Sequence, residues 1–201
     1  MFKRLFMLLA VAAFVLSVLE SGGGSASQGP GATCALPRLA MPPAPAKIPG
    51  YTELDPATGL HVTGAMSLIK ITDYRLEVAG QVDNPLSLTY DELRCMPRTE
   101  ARSELVCPGF FQDTATWAGV PLRFVLQLAK IRAGATEIRL TGADGYSAEM
   151  PLREVLSSGG FLAYEWEGKA IPALHGFPLR AVFPGLQGNR WVKWLVKIDV
   201  H

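Results

Sequence analysis

The sequence predicts an α+β fold built of mixed or antiparallel β-sheets with short helices, and three observations predict it. Segments with period-two alternation outnumber segments with helical spacing. Helices do not recur regularly between strands, as they would in a doubly wound parallel sheet. The glycine-rich pieces, Gly22-Gly23-Gly24 and Ser158-Gly159-Gly160, lack the spacing of a dinucleotide or phosphate-binding loop, which argues against nicotinamide and nucleoside triphosphate cofactors.

The elements follow in order. Tyr74, Leu76 and Val78 alternate with Arg75 and Glu77, which predicts a strand with one core face, and Asp83-Asn84-Pro85 turns the chain into a short strand over 86–88. Thr89-Tyr90-Asp91-Glu92 has capping-box spacing and opens a short helix that Met96-Pro97 ends. Residues 103–107 read as a strand closing at Cys107. Pro121 suits a first helical position, and Leu122, Val125, Leu126 and Ala129 form an apolar stripe reaching about Ile131. Strands are expected over 136–140, 146–150 and 161–166, with a short helix over 152–156. From Val192 to Val200 apolar residues take the even positions, which predicts a half-buried strand with Lys193 on its non-core face.

With 201 residues and 49% hydrophobic content, the chain can bury one good core. A formal charge of +1 gives no electrostatic case for binding nucleic acid. Lys3 and Arg4 precede a run from Leu5 to Leu19 that is apolar except for Ser17, the pattern of an export signal. A run of fifteen residues is short against the ~20 of a bilayer span, so a cleaved signal is favoured over a membrane tether through residues 2–19. The expected organisation is a signal or anchor over 1–27, a Pro/Gly-rich arm over 28–63 and one domain over 64–201, placing the protein outside the cytoplasm, in a periplasm.

Two clusters carry chemistry. His175-Gly176-Phe177-Pro178-Leu179-Arg180, followed by the Pro184-Gly185 turn and by Arg190 to Leu195, concentrates His175, Arg180, Arg190 and Lys193 around turn dipeptides, a cradle for an anion. Taken singly each is more often an ordinary loop or solvated residue. The three cysteines, Cys34, Cys95 and Cys107, form no C-x-x-C, so zinc ribbons, thioredoxin-type redox motifs and covalent haem lack support. Cys107 ends a strand just before Pro108-Gly109, where a metal can reach a thiolate, although a buried free thiol is the commoner fate of the residue type.

The order of these pieces resembles the molybdopterin-binding domain of the sulfite oxidase family. Cys107, Gly109, Trp117-Ala118-Gly119-Val120-Pro121-Leu122, Ala143-Asp144-Gly145-Tyr146, the histidine segment and Val192-Lys193-Trp194-Leu195 stand in the family's order, over about 74–200. The resemblance implies a molybdenum-molybdopterin cofactor, with Cys107 as the metal's thiolate ligand and Asp144, His175, Arg180, Trp191, Val192 and Lys193 against the pterin and its phosphate. If Cys107 is a ligand, Cys34 and Cys95 remain as a candidate disulfide.

The family's amino-terminal arginine and histidine have no match around 64–73, and Phe110 and Phe111 stand where sulfite-oxidising relatives carry an asparagine and arginines. A sulfite dianion needs cationic donors, so sulfite is not the expected substrate. The expectation is an exported oxidoreductase that moves an oxygen atom to or from a small molecule in a two-electron step, with Phe110, Phe111 and Trp117 shaping access. A separate electron-transfer protein would serve it. The alternative is a non-catalytic binding or docking module that keeps the fold without the metal.

Overall fold

A computed structural model describes residues 39–201. The export signal, the membrane tether and Cys34 lie outside the described residues. Among the described residues no helix is long and apolar enough to cross a membrane.

The fold is α+β. A first small hairpin pairs β1 (Leu54–Asp55) with β2 (Leu60–His61). The strands β3 (Leu76–Gly80), β4 (Leu86–Leu88), β7 (Glu137–Gly142), β8 (Ser147–Pro151) and β12 (Leu195–Val200) form one sheet in the order β4-β3-β12-β7-β8. In it β12 runs parallel to β3 and antiparallel to β7. The other sheet runs β10-β9-β6-β5, from β5 (Thr99–Cys107), β6 (Phe111–Pro121), β9 (Phe161–Trp166) and β10 (Lys169–Ala170), with β11 (Arg180–Val182) also pairing β9. Among the described residues three short α-helices punctuate the sheets, α1 (Tyr90–Arg94), α2 (Leu122–Ala129) and α3 (Leu152–Ser157).

Local chemistry explains most boundaries. Thr89 and Glu92 make the full capping box that starts α1: the Thr89 hydroxyl accepts from the Glu92 N–H, and the Glu92 carboxylate accepts from the Thr89 N–H. The buried side of α2, Leu122, Val125, Leu126 and Ala129, is the stripe read from the sequence. It ends at Ala129, two residues short of Ile131, with Lys130 left-handed at φ 55, and Pro121 is extended at the end of β6 rather than helical. Cys95 is disulfide-bonded and Cys107 is free.

The sequence reading is corrected in three places. Phe111–Pro121 is an eleven-residue strand central to its sheet, which the pattern concealed because residues 117–120 are buried without alternation. Gly119 is required within it: a Cβ there would stand 1.9 Å from the Leu162 carbonyl oxygen on β9. Lys193 is buried, not solvated, because β12 begins only at Leu195 and Trp194 takes φ 48, which breaks the alternation. The end of the arm is ordered structure: residues 54–61 form the β1–β2 hairpin, which lies against β6 through a pair of hydrogen bonds from His61 to Asp113.

Candidate active site

The β5–β6 turn presents Cys107. Cys107 and Phe111 are register partners across it, the Phe110 N–H donates to the Cys107 carbonyl at 3.0 Å, and Gly109 supplies φ 79. The half-buried thiol lines a cavity of about 260 Å³. The same cavity is lined by Asp144, His175, Arg180, Trp191 and Lys193, which come from the β7–β8 turn, from the 3-10 turn Ala173–His175, from β11 and from the segment entering β12. Six of the eight residues singled out in the sequence therefore share one concavity. Val192 is wholly buried in the core beside it, and the Arg190 guanidinium donates to the Glu149 carbonyl rather than lining the wall.

Cations dominate the interior. The Arg180 guanidinium packs in the corner of two nearly perpendicular indoles, 4.8 Å from the Trp117 centroid and 5.6 Å from that of Trp191. One of its terminal nitrogens donates to the His175 carbonyl at 3.2 Å, while Nε is buried with no hydrogen-bond partner among the described residues. Lys193 Nζ donates to the carbonyls of Thr63, at 2.7 Å, and Leu174, at 3.0 Å, which leaves one of its three donors. His175 Nε2 donates to Asp55 Oδ2 at 3.0 Å and lies 2.9 Å from the Thr58 hydroxyl. Asp144 accepts from the Tyr146 N–H at 3.1 Å.

Burial among like charges destabilises the protonated forms. Desolvation first, and then the neighbouring Arg180, lower the Lys193 ammonium to about 7. Desolvation lowers Arg180 to about 10, against the opposing pull of Asp113. His175 falls to about 4 through desolvation and the Lys193 charge, although its bond to Asp55 works the other way. Burial alone would raise the Asp55 carboxyl, but bonds from the Ala57 N–H, His175 and Thr58 hold it below its ordinary value. Two cationic groups, Arg180 and Lys193, buried at such cost beside a neutral His175 favour an anionic guest.

The sequence reading missed His61, Asp113, Asp55 and the Thr63 carbonyl. His61 and Asp113 line the cavity, and the His61 ring stacks on Phe111 with centroids 4.5 Å apart. A signal was available for the hairpin: Asp55-Pro56-Ala57-Thr58-Gly59 is a turn sequence between two leucines. Phe110, expected to shape access, is exposed and does not line the cavity, whereas Phe111 and Trp117 do.

A free thiol and buried cationic groups around one cavity define a domain suited to a metal-bearing, anionic cofactor. The chain belongs to the oxidoreductase molybdopterin binding domain family, whose model matches residues 63–201. It is 32% identical over 126 residues to the "Uncharacterized oxidoreductase YuiH" of Bacillus subtilis (strain 168), covering 62% of this chain and 64% of that protein. It is 34% identical over 158 residues to the mitochondrial sulfite oxidase of Homo sapiens, covering 64% of this chain and 29% of that protein. Among solved structures it is similar to the sulfane dehydrogenase SoxCD from Paracoccus pantotrophus, with a TM-score of 0.64 and 28% identity over 70% of this chain and 41% of that one. The chain thus spans less than two thirds of the length of these relatives. The cofactor of the family is molybdopterin with molybdenum, and the cavity fits it: a free thiol at the wall, an orphaned buried Arg180 Nε and a spare Lys193 donor answer to a metal and an anionic ligand. Among the described residues no group of three or more His, Cys, Asp or Glu side chains gathers to hold a metal ion unaided.

Proposed function

We propose that the chain is an exported molybdopterin-dependent oxidoreductase that transfers an oxygen atom to or from a small molecule other than sulfite, with Cys107 as the thiolate ligand of the metal. The observation that carries this reading is the placement of the free Cys107 thiol on the same cavity wall as buried His175, Arg180 and Lys193. When bound, the cofactor supplies a metal that changes oxidation state by two units while oxygen moves.

The chain's own residues have separable tasks. Cys107 offers a soft thiolate to the metal. Arg180, through Nε, and Lys193, through its third N–H, supply charged donors to an anionic pterin phosphate, and the indoles of Trp117 and Trp191 form the corner against which the guanidinium packs. Asp144 offers carboxylate oxygens to ring N–H donors. His61 and Phe111 give the opening one titratable and one apolar wall, a poor host for a dianion. Electrons would pass to or from a separate carrier protein.

Metal analysis of protein made in a host that synthesises molybdopterin tests the reading. Near-stoichiometric molybdenum in the wild type, lost in Cys107→Ser, is the expected result. Absence of molybdenum from the folded wild type would leave a binding module of the same fold. Detection of the processed, exported chain in a periplasmic fraction tests the location.

A further inference from the structure

We infer that His61 is the residue that exchanges protons with the oxygen of the substrate in this cavity, and that Asp113 is its positioning residue. The inference rests on the oxidoreductase reading above. His61 sits at the end of β2 and is fixed three ways. Its backbone N–H donates to Asp113 Oδ2 at 2.8 Å, its ring Nδ1 lies 2.7 Å from Asp113 Oδ1, and its ring stacks on Phe111 at an interplanar angle of 11°. Both oxygens of a buried carboxylate are thus engaged by one residue. An ionised carboxylate only accepts, so Nδ1 carries the proton. In the neutral ring Nε2 is then a lone-pair acceptor, and in the protonated ring it is a donor.

Apart from Tyr51, which is 67% exposed, the other titratable groups of the cavity are committed elsewhere. Cys107 is the proposed metal ligand. His175 is 1% exposed and its Nε2 is held by Asp55 and Thr58. Lys193 and Arg180 are buried against carbonyls and indoles, Asp144 closes its own turn, and the Tyr146 hydroxyl donates to the Asn189 carbonyl at 2.7 Å. His61 keeps 28% of its side chain exposed while lining the cavity, so its ring meets both bulk water and a bound molecule.

Oxygen-atom transfer needs such a group. Reducing an oxide X–O to X breaks the X–O bond and consumes two electrons and two protons, giving water. The reverse takes an oxygen atom from water and releases two protons and two electrons. The electron pair passes through the metal cofactor and the separate carrier protein. The imidazolium gives one proton from Nε2 to the departing oxygen and water gives the other; in the oxidative direction neutral Nε2 takes one proton from the attacking water.

The test uses the full chain purified with molybdenum, and a redox titration of the metal centre followed by its paramagnetic resonance signal between pH 5 and 9. The midpoint potential of the wild type should show a break in its pH dependence between those limits. His61→Gln should retain molybdenum and lose the break. Asp113→Asn should weaken it, because the carboxylate that fixes the ring through Nδ1 is gone. Independently, long-range proton–nitrogen NMR of the neutral His61 ring should show the proton on Nδ1. A break that persists in His61→Gln, or a neutral ring protonated on Nε2 in the wild type, overturns the inference and leaves the oxidoreductase reading standing. Loss of molybdenum from folded His61→Gln assigns the ring to cofactor retention and also overturns it. A wild type that binds no molybdenum defeats the oxidoreductase reading itself, and this inference with it.

Discussion

Asp55 Oδ2 and His175 Nε2 meet at 3.0 Å although 120 residues separate them in the chain. The bond fastens the β1–β2 hairpin to the 3-10 turn Ala173–His175, and Thr58 closes the group by donating from its hydroxyl to Asp55 Oδ2 at 2.9 Å. Asp55→Ala removes the acceptor from a buried imidazole, so it should destabilise the domain by about 1–3 kcal/mol. Asp55→Asn, which keeps an acceptor oxygen, should cost less. Urea unfolding of the three proteins at neutral pH measures the difference.

Lys193 and His175 make the cofactor-free domain sensitive to pH. An unfolded lysine titrates at its ordinary 10.5 and the folded Lys193 at about 7, so between those values the unfolded state binds more protons. Stability should therefore climb as pH rises through that window and level off above it. His175, lowered from 6.5 to about 4, gives a slope of the same sign between those two values. Unfolding free energies measured at intervals from pH 4 to 10 check both, and Lys193→Met should remove the upper slope.

Arg180→Lys keeps a charge but loses the planar group that packs against Trp117 and Trp191 and the buried Nε donor. The expected outcome is weaker retention of cofactor, by roughly tenfold to a hundredfold for a loss of about 1.5–3 kcal/mol in charged hydrogen bonding. Molybdenum content after extended dialysis measures it.

Gly119→Ala tests the fold rather than the site. A methyl group 1.9 Å from the Leu162 carbonyl oxygen forces β6 and β9 apart at the centre of their sheet. Destabilisation of about 3 kcal/mol or more is expected, read as a fall in the midpoint of thermal unfolding. The same change at Gly109, where the added carbon meets no neighbour within 4 Å but φ is 79, should cost only about 1 kcal/mol of backbone strain.

Elements whose pattern comes from local chemistry were legible in the sequence. The capping box at Thr89 and Glu92, the α2 stripe and the strands over 86–88 and 161–166 needed no tertiary information. The longest strand was not legible, because β6 is buried on both faces near Trp117 and so carries no alternation. The six cavity residues were found through their spacing and the family resemblance, whereas His61 and Asp113 make sense only as a pair, brought together across fifty-two positions by a hairpin that falls within the stretch read as a Pro/Gly-rich arm. Lys193 was misread because one left-handed residue, Trp194, reverses the face on which its side chain falls.

Three of the four tryptophans, Trp117, Trp191 and Trp194, border the cavity. The protein thereby contains its own optical gauge: filling the space beside those rings must alter ultraviolet emission, so loading can be followed in real time in the unlabelled molecule, before any turnover is sought.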